Sequence, residues 1–364
     1  MNIVLIEKYF DFKIWFFRQF LFPLFQMINS QIFSISSKVL HKMLVSSDSY
    51  DYVEPIATIT VGDFTYDIFS DSTATIVGCH TKEKIIDIPS AVLYEDDLFI
   101  IKDIGPRIFE NTEVEEIAFL GDSSVNTLKR DVFFSKTLKK VTLPLMIEKL
   151  ECGWCNFTLS LNEIAIDDNH PSFIVENGTL YKKDKTILYF VPRKTRSFIV
   201  PSSVKIIAAY AFEQCRRIRK IEFEPNSNLE HLYPWAFSHS RLKTITLPKS
   251  LKTIGYDAFF YCKKLREVEF EADCKLKEVL YGAFKDSSIE EIELPPTVVK
   301  IGQSAFENCE YLKNVKLYSD HEVKIWKKAF LYTHHNFKLE ILASTKLSGN
   351  GIPLPENMVE IFEP

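Results

Sequence analysis

Cys152-Gly153-Trp154-Cys155 sets two thiols two residues apart. Such a pair exchanges disulfides where a βαβ unit and a lowered thiol pKa support it, and two such pairs hold zinc. No second pair follows, no βαβ pattern surrounds this one, and Cys155 falls where the repeat described below puts a core side chain. It reads as packing, with a local disulfide or a metal ligand as lesser alternatives. Cys215, Cys262 and Cys309 recur every 47 residues. Two coils apart at about 4.8 Å per strand, they stand roughly 10 Å from one another, whereas a disulfide needs Cα atoms within about 7 Å. They read as small buried apolar side chains.

The remaining chemical candidates are thinner. Glu267/Glu269 and Glu291/Glu293 offer paired carboxylates, but their alternation puts them on one exposed sheet face. His334-His335 lack a third ligand at helical or hairpin spacing. Asp167, Asp168 and His170 cluster ahead of Pro171, where three polar residues ordinarily build a turn; an enzyme with a site in 167–200 is the remote alternative they support. Asn156-Phe-Thr158 and Asn177-Gly-Thr179 are glycosylation sequons that matter on a secreted chain. No serine-nucleophile elbow, phosphate loop, zinc-protease helix or calcium loop is present, so neither a cofactor, a metal nor catalysis is expected. Net charge −5 and a pI near 6.0 supply no global basic field for nucleic acid. Seven Cys over 364 residues do not make a disulfide scaffold.

What must position any site is a repeat. Ala211-Phe212, Ala236-Phe237, Ala258-Phe259, Ala283-Phe284, Ala305-Phe306 and Ala329-Phe330 follow one another at steps of 25, 22, 25, 22 and 24 residues. Two unlike coils therefore alternate within a 47-residue unit. The short arm, clearest at 245–262, has a Leu-Pro turn and ends in Cys three residues after its Phe. The long arm, as in Glu224–Phe237 and Glu271–Phe284, has an acidic loop and carries Ser at the Cys place, Ser240 and Ser287. Each Phe is followed by an apolar-x-x-apolar-x-apolar run, such as Leu265–Phe270 or Ile289–Leu294, whose period of two predicts a half-buried strand. Pro144, Pro201, Pro248 and Pro295 end these strands, because proline cannot donate a ladder bond. Phe and Cys three apart predict one helical turn. One coil cannot bury these groups alone; stacked coils can.

Leu265-x-x-Val268-x-Phe270 and Pro248-x-Ser250-Leu251-x-x-Ile254-Gly255-x-x-Ala258-Phe259-x-x-Cys262, with their copies, resemble the type 5 leucine-rich repeats of the BspA-like surface proteins. The resemblance spans roughly 56–342. Residues 63–78 and Ile88-Pro89-Ser90 fit the β-rich opening of such arrays, and Ile108-Phe109 and Val132-Phe133 are degenerate Ala-Phe copies. It implies a parallel-strand solenoid used for adhesion or ligand binding, without enzymatic activity, at a cell surface or secreted. An intracellular, cytoplasmic scaffold is the alternative.

The expected fold is thus a β-rich α/β repeat solenoid of short parallel strands and short helical turns over 55–345. An inserted β-meander occupies 167–200, with strands at Phe173–Val175, Thr179–Lys182 and Ile187–Val191 and a hairpin at Asn177-Gly178. Residues 346–364 are expected as a tail. Residues 1–54 are Phe-rich. Ile14–Ile28 is broken by Arg18, Gln19 and Pro23, short of the about 20 apolar residues a spanning helix needs. Glu7 and Asp11 spoil a signal-peptide start despite Ser34-Ile35-Ser36. The favoured reading is an apolar helix on the solenoid end, or a start site upstream of a true one at Met27 or Met43.

Binding is expected on the outward positions of the strands: Lys220/Glu222, Thr244/Thr246, Glu267/Glu269, Glu291/Glu293 and Asn314/Lys316, preceded by Lys140/Thr142 and Glu163/Ala165. The partner is a protein or cell-surface ligand. No aromatic cluster lies on this stripe, so no interface anchor of the Trp/Tyr/Arg type stands out.

Overall fold

The structure is a computed structural model that describes residues 53–351, 354 and 358–362. The signal-peptide, apolar-helix and start-site readings of the first 52 residues lie outside the described residues. The chain divides into two units, Met1–Glu54 and Pro55–Pro364, and the second carries the repeat.

The array opens with a five-stranded sheet. Ala57–Val61, Phe64–Ile68 and Thr73–Cys79 form an antiparallel meander, Thr73–Cys79 pairs in parallel with Asp97–Ile104, and Ala91–Tyr94 closes the edge. Parallel rungs follow: Ile85–Ile88, Glu116–Phe119, Lys140–Thr142 and Glu163–Ala165 make a four-stranded sheet. After the meander, Ser197–Val200 pairs with Lys220–Phe223. A six-stranded parallel sheet then runs through Thr244–Leu247, Glu267–Phe270, Glu291–Leu294, Asn314–Leu317, Lys338–Leu342 and Val359–Phe362. Their alternation is visible as burial: Thr244–Leu247 and Glu291–Leu294 both read exposed, buried, exposed, buried.

A second sheet of ten strands forms the other wall. Its parallel rungs are short, such as Thr253–Ile254, Glu278–Val279 and Lys300–Ile301. The meander joins this wall. Its strands are Phe173–Glu176, Thr179–Lys182 and Ile187–Phe190, and the last pairs in parallel with Ile206–Ile207. Asn177 and Gly178 both take positive φ, 50° and 78°, as a two-residue hairpin turn of this twist requires. The stretch 346–364, expected as a tail, contributes Lys346–Ser348 to the ten-stranded sheet and Val359–Phe362 to the six-stranded one.

Between the walls stand the Phe side chains. Phe237, Phe259, Phe284 and Phe306 stack on one another with centroids 5.0, 5.1 and 5.2 Å apart and planes within 12°. Phe212 and Phe330 extend the column at 4.8 and 5.6 Å. Each Phe amide donates to the Ala carbonyl of the next coil: Phe237 to Ala258, Phe259 to Ala283, Phe284 to Ala305 and Phe306 to Ala329, all at 2.8 Å. Where Trp154 holds the Ala place the same bond survives but lengthens, the Phe133 amide reaching the Trp154 carbonyl at 3.3 Å. Trp154 substitutes in the column where the Ala-Phe pair is lost, 6.1 Å from Phe133 and 6.4 Å from Phe190.

The helical turns expected around Ala-Phe-x-x-Cys are replaced by consecutive β-turns, and no α-helix occurs among the described residues. Within one coil Phe260 N–H donates to Asp257 and Cys262 N–H to Phe259, three residues back. The intervening amides of Asp257, Phe259 and Tyr261 leave the coil for Tyr281, Ala283 and Lys285 at 2.8–3.0 Å. Asp257 and Tyr261 sit at φ 50° and 56°, which an α-helix forbids. Half of the turn amides are thus spent on stacking coils. The fold is a solenoid of parallel strands joined by turns.

Candidate functional site

The six-stranded sheet brings most of the expected stripe into one ladder. Thr244 pairs with Glu267 and Thr246 with Glu269; Glu267 pairs with Glu291; Glu291 pairs with Asn314 and Glu293 with Lys316. Thr244, Thr246, Glu267, Glu269, Glu291 and Glu293 are exposed, and Asn314 and Lys316 are half-buried. Lys220 and Glu222 are exposed too, but they lie in the separate two-stranded ladder with Ser197–Val200 and pair with each other at 2.7 Å. Lys140 is likewise engaged with Glu163 at 2.9 Å in the earlier sheet.

The face is hollowed. A groove of about 560 Å³ runs over Glu267, Glu269, Glu291 and Glu293 to Asn314 and Lys316, and is walled by Glu271, Asp273, Pro295 and Pro296. Thr246 donates to Glu269 at 3.0 Å. Glu267, Glu291 and Glu293 have no ion-pair partner among the described residues. Like carboxylates directly opposite on neighbouring strands repel, so Glu267 and Glu291 leave the groove with an unanswered negative charge. At its far end Asn314 and Tyr318 both donate to Glu340, and the Asn314 bond holds the Glu340 carboxyl below its ordinary value.

The loop residues of this groove follow the 47-residue unit rather than the period of two. One signal was available: the acid that opens each long arm. Glu224 accepts the Ser202 amide at 2.8 Å and Glu271 the Lys249 amide at 2.9 Å, both just after the strand-ending proline. In the next unit Pro296 has no amide to offer, and Tyr318 stands in place of the acid.

The other chemical candidates lie elsewhere in the fold. Cys152 is exposed and Cys155 buried, and all seven cysteines are free. Burial pushes the Cys155 thiol up to about 12, the opposite of an activated thiolate. The Arg193 guanidinium, 3 % exposed, lies beside it, donating to the Tyr210 and Ala211 carbonyls and sitting 4.8 Å over the Phe190 ring. Sequence reasoning missed this plug, which fills the splice between the meander and the next coil. Asp167 and Asp168 are exposed, while His170 is fully buried. The Ser172 and Phe173 amides donate to His170 Nδ1 at 3.2 Å, which leaves Nε2 to donate to the Pro144 carbonyl at 3.3 Å. Both nitrogens of His170 are committed to backbone. The His334 and His335 rings lie 4.1 Å apart, tilted by 34°, and no group of three or more metal-ligating side chains occurs among the described residues. Asn156 donates its amide to Asp131 at 2.8 Å, whereas Asn177 is exposed at its hairpin tip.

Comparison with known proteins gives a consistent picture. Residues 66–177, 189–313 and 277–350 match a family model described as a BspA type leucine rich repeat region, in 6 copies. The fold is similar to the crystal structure of a leucine-rich repeat protein from Eubacterium ventriosum, with TM-score 0.59 and 19% identity over 82% of this chain and 97% of that one. It is also similar to the pneumococcal vaccine antigen PcpA, with TM-score 0.50 and 18% identity over 84% and 94%. No curated protein matches the sequence.

Proposed function

The chain belongs to the BspA-type leucine-rich repeat family, and from that premise we propose that it is a non-enzymatic binding module whose contact surface is the outward face of its six-stranded sheet. The observation that carries this reading is the groove along that face, lined by carboxylates without ion-pair partners. A solenoid offers its strand side as an extended platform because the rungs repeat without intervening loops. Complementary potential steers such a platform toward basic groups on a protein or cell-surface ligand. The fold likeness to a vaccine antigen supports display at a cell surface or secretion.

The test is binding of the full chain to intact cells and to a lysine-rich peptide before and after Glu267, Glu269, Glu291 and Glu293 are changed to Lys. Loss of about tenfold or more in both is expected. Undiminished binding to cells refutes the strand-face reading.

A further inference from the structure

One residue ahead of the strands, at the rim where each turn meets its strand, stands a column of cations. The Arg219 amide donates to the Arg196 carbonyl at 2.8 Å and the Arg266 amide to the Lys243 carbonyl at 2.8 Å, which sets these residues side by side on successive rungs. The Phe212 amide on the Ala236 carbonyl at 2.7 Å joins the two pairs of coils. Two residues earlier in three of the same coils stand Arg217, Arg241 and Lys264. All seven side chains are exposed.

Arg196, Arg217, Arg241, Lys243 and Lys264 have no ion-pair partner among the described residues. The next rung ends the run: its amide at Glu290 bonds the Arg266 carbonyl, its side chain pairs with Arg266, and Asp286 takes Lys263 at 3.4 Å. The chain as a whole is negative, at −5, so this patch is a local concentration rather than part of a global field. Rungs repeat at about 4.8 Å. Like charges at that interval repel one another, and an anionic chain laid along them removes the repulsion.

We propose that this rim binds a linear sulfated glycan. The track is only one or two side chains wide, with the carboxylate face of Glu267 and Glu269 beside it. That neighbour repels the second strand of a duplex nucleic acid. Single strands are held by runs of exposed aromatic platforms; the two exposed rings here, Tyr261 and Tyr311, are each already overlain by a cation, Lys263 at 4.8 Å and Arg266 at 6.0 Å. What remains is regularly spaced charge with guanidinium forks, which matches sulfate groups on a flexible chain. The rim and the strand face adjoin but use different side chains, so either reading stands if the other fails.

The experiment titrates the full chain with a fluorescent heparin oligosaccharide at several salt concentrations, with the desulfated oligosaccharide and with single-stranded and duplex oligonucleotides of matched length as competitors. Arg217→Glu/Arg241→Glu/Lys264→Glu is compared with Lys275→Glu/Lys277→Glu/Lys324→Glu, three exposed lysines along the opposite wall that carry the same charge change. The milder Arg217→Gln/Arg241→Gln/Lys264→Gln keeps the test valid should the first variant misfold. Salt-sensitive binding is expected, weakened about tenfold or more in both rim variants and by desulfation, and unchanged in the control. Equal loss in the control, no loss in either rim variant, no binding of wild type, or preference for an oligonucleotide overturns the proposal.

Discussion

Ser240 Oγ lies 3.4 Å from Cys262 Sγ on the next coil, and the contact recurs one unit later between Ser287 and Cys309, again at 3.4 Å. Each Cys thiol also donates to a Phe carbonyl, Cys262 to Phe237 and Cys309 to Phe284, both at 3.1 Å. Both partners are buried. The alternation of Ser and Cys between long and short arms is therefore a contact across one coil boundary in each unit, and it leaves no polar atom of the pair unsatisfied. Truncating one partner should cost more than its share. In a double-mutant cycle, Ser240→Ala and Cys262→Ala should each destabilise by about 1 kcal/mol, with a coupling of roughly 0.5 kcal/mol or more. Strict additivity in chemical denaturation would show the contact to be incidental.

The thiols divide by burial. Cys152 is exposed and Cys79 half-exposed, while Cys155, Cys215, Cys262, Cys274 and Cys309 are buried. Burial raises all seven thiols, Cys155, Cys262 and Cys309 up to about 12, so access sets the order of attack. A thiol reagent at neutral pH should label Cys152 first and Cys79 more slowly, and reach the other five only on unfolding. Mass spectrometry of digested, partly labelled protein reads the order; early labelling of Cys262 would contradict the stacked core.

The Phe column sets the scale of core energetics. Phe259 is fully buried between Phe237 and Phe284, and Phe259→Ala should cost about 3–5 kcal/mol. Thr244→Ala, on the exposed strand face, should stay within about 0.5 kcal/mol. Equal shifts in denaturation midpoint would deny the inward placement of the Phe.

Why the coils could be read from sequence follows from the same column. From Phe212 to Phe306 each coil contributes one Phe and one Ala to a shared core and one amide-to-carbonyl bond from Phe to the next Ala, so these coils repeat the two types in register. The strand positions were legible because a period of two survives one-sided burial. The turn conformation was not: Phe and Cys three apart suit a helix and a run of β-turns equally, and side-chain spacing carries no record of the positive φ at Asp257 and Tyr261. Nor does it show where a ladder breaks, which is why Lys220 and Glu222 fall outside the six-stranded sheet. Glu271, Asp273 and Tyr318 border the face from long-arm loops, where the period of two does not reach and only the 47-residue unit operates.

Close approach of coils makes one glycine substitution diagnostic. A Cβ on Gly302 would stand 2.5 Å from the Leu280 carbonyl carbon and 2.7 Å from the Tyr281 nitrogen, both rigid backbone. Gly255 meets the Leu232 carbonyl in the same way at 2.4 Å. Gly302→Ala should destabilise by about 1–3 kcal/mol through overpacking, even though alanine is the smaller conformational burden on an unfolded chain. A neutral or stabilising effect on the thermal midpoint would mean the coils separate more easily than their amide ladder implies.

Two buried carboxyls make stability depend on pH. Burial pushes Glu213 up to about 7, against the pull of Arg193 and the Phe157 amide that donates to it at 3.0 Å. Burial likewise pushes Asp257 up to about 7, with Lys285 drawing it down and Asp286 adding to the rise. Their ordinary values are 4.5 and 3.8. The folded state therefore holds these protons more tightly than the unfolded chain. Their contribution is full below pH 4 or so and is lost as pH rises through about 7. His170 and His239, held down by burial, act in the opposite sense over part of the same range, so the difference between wild type and variant is the sharper readout. Relative to Glu213→Gln or Asp257→Asn, the wild type should lose roughly 1–3 kcal/mol between pH 4 and pH 8. Denaturation at a series of pH values checks this; parallel profiles for wild type and both variants would place these carboxyls in water rather than in the turn stack.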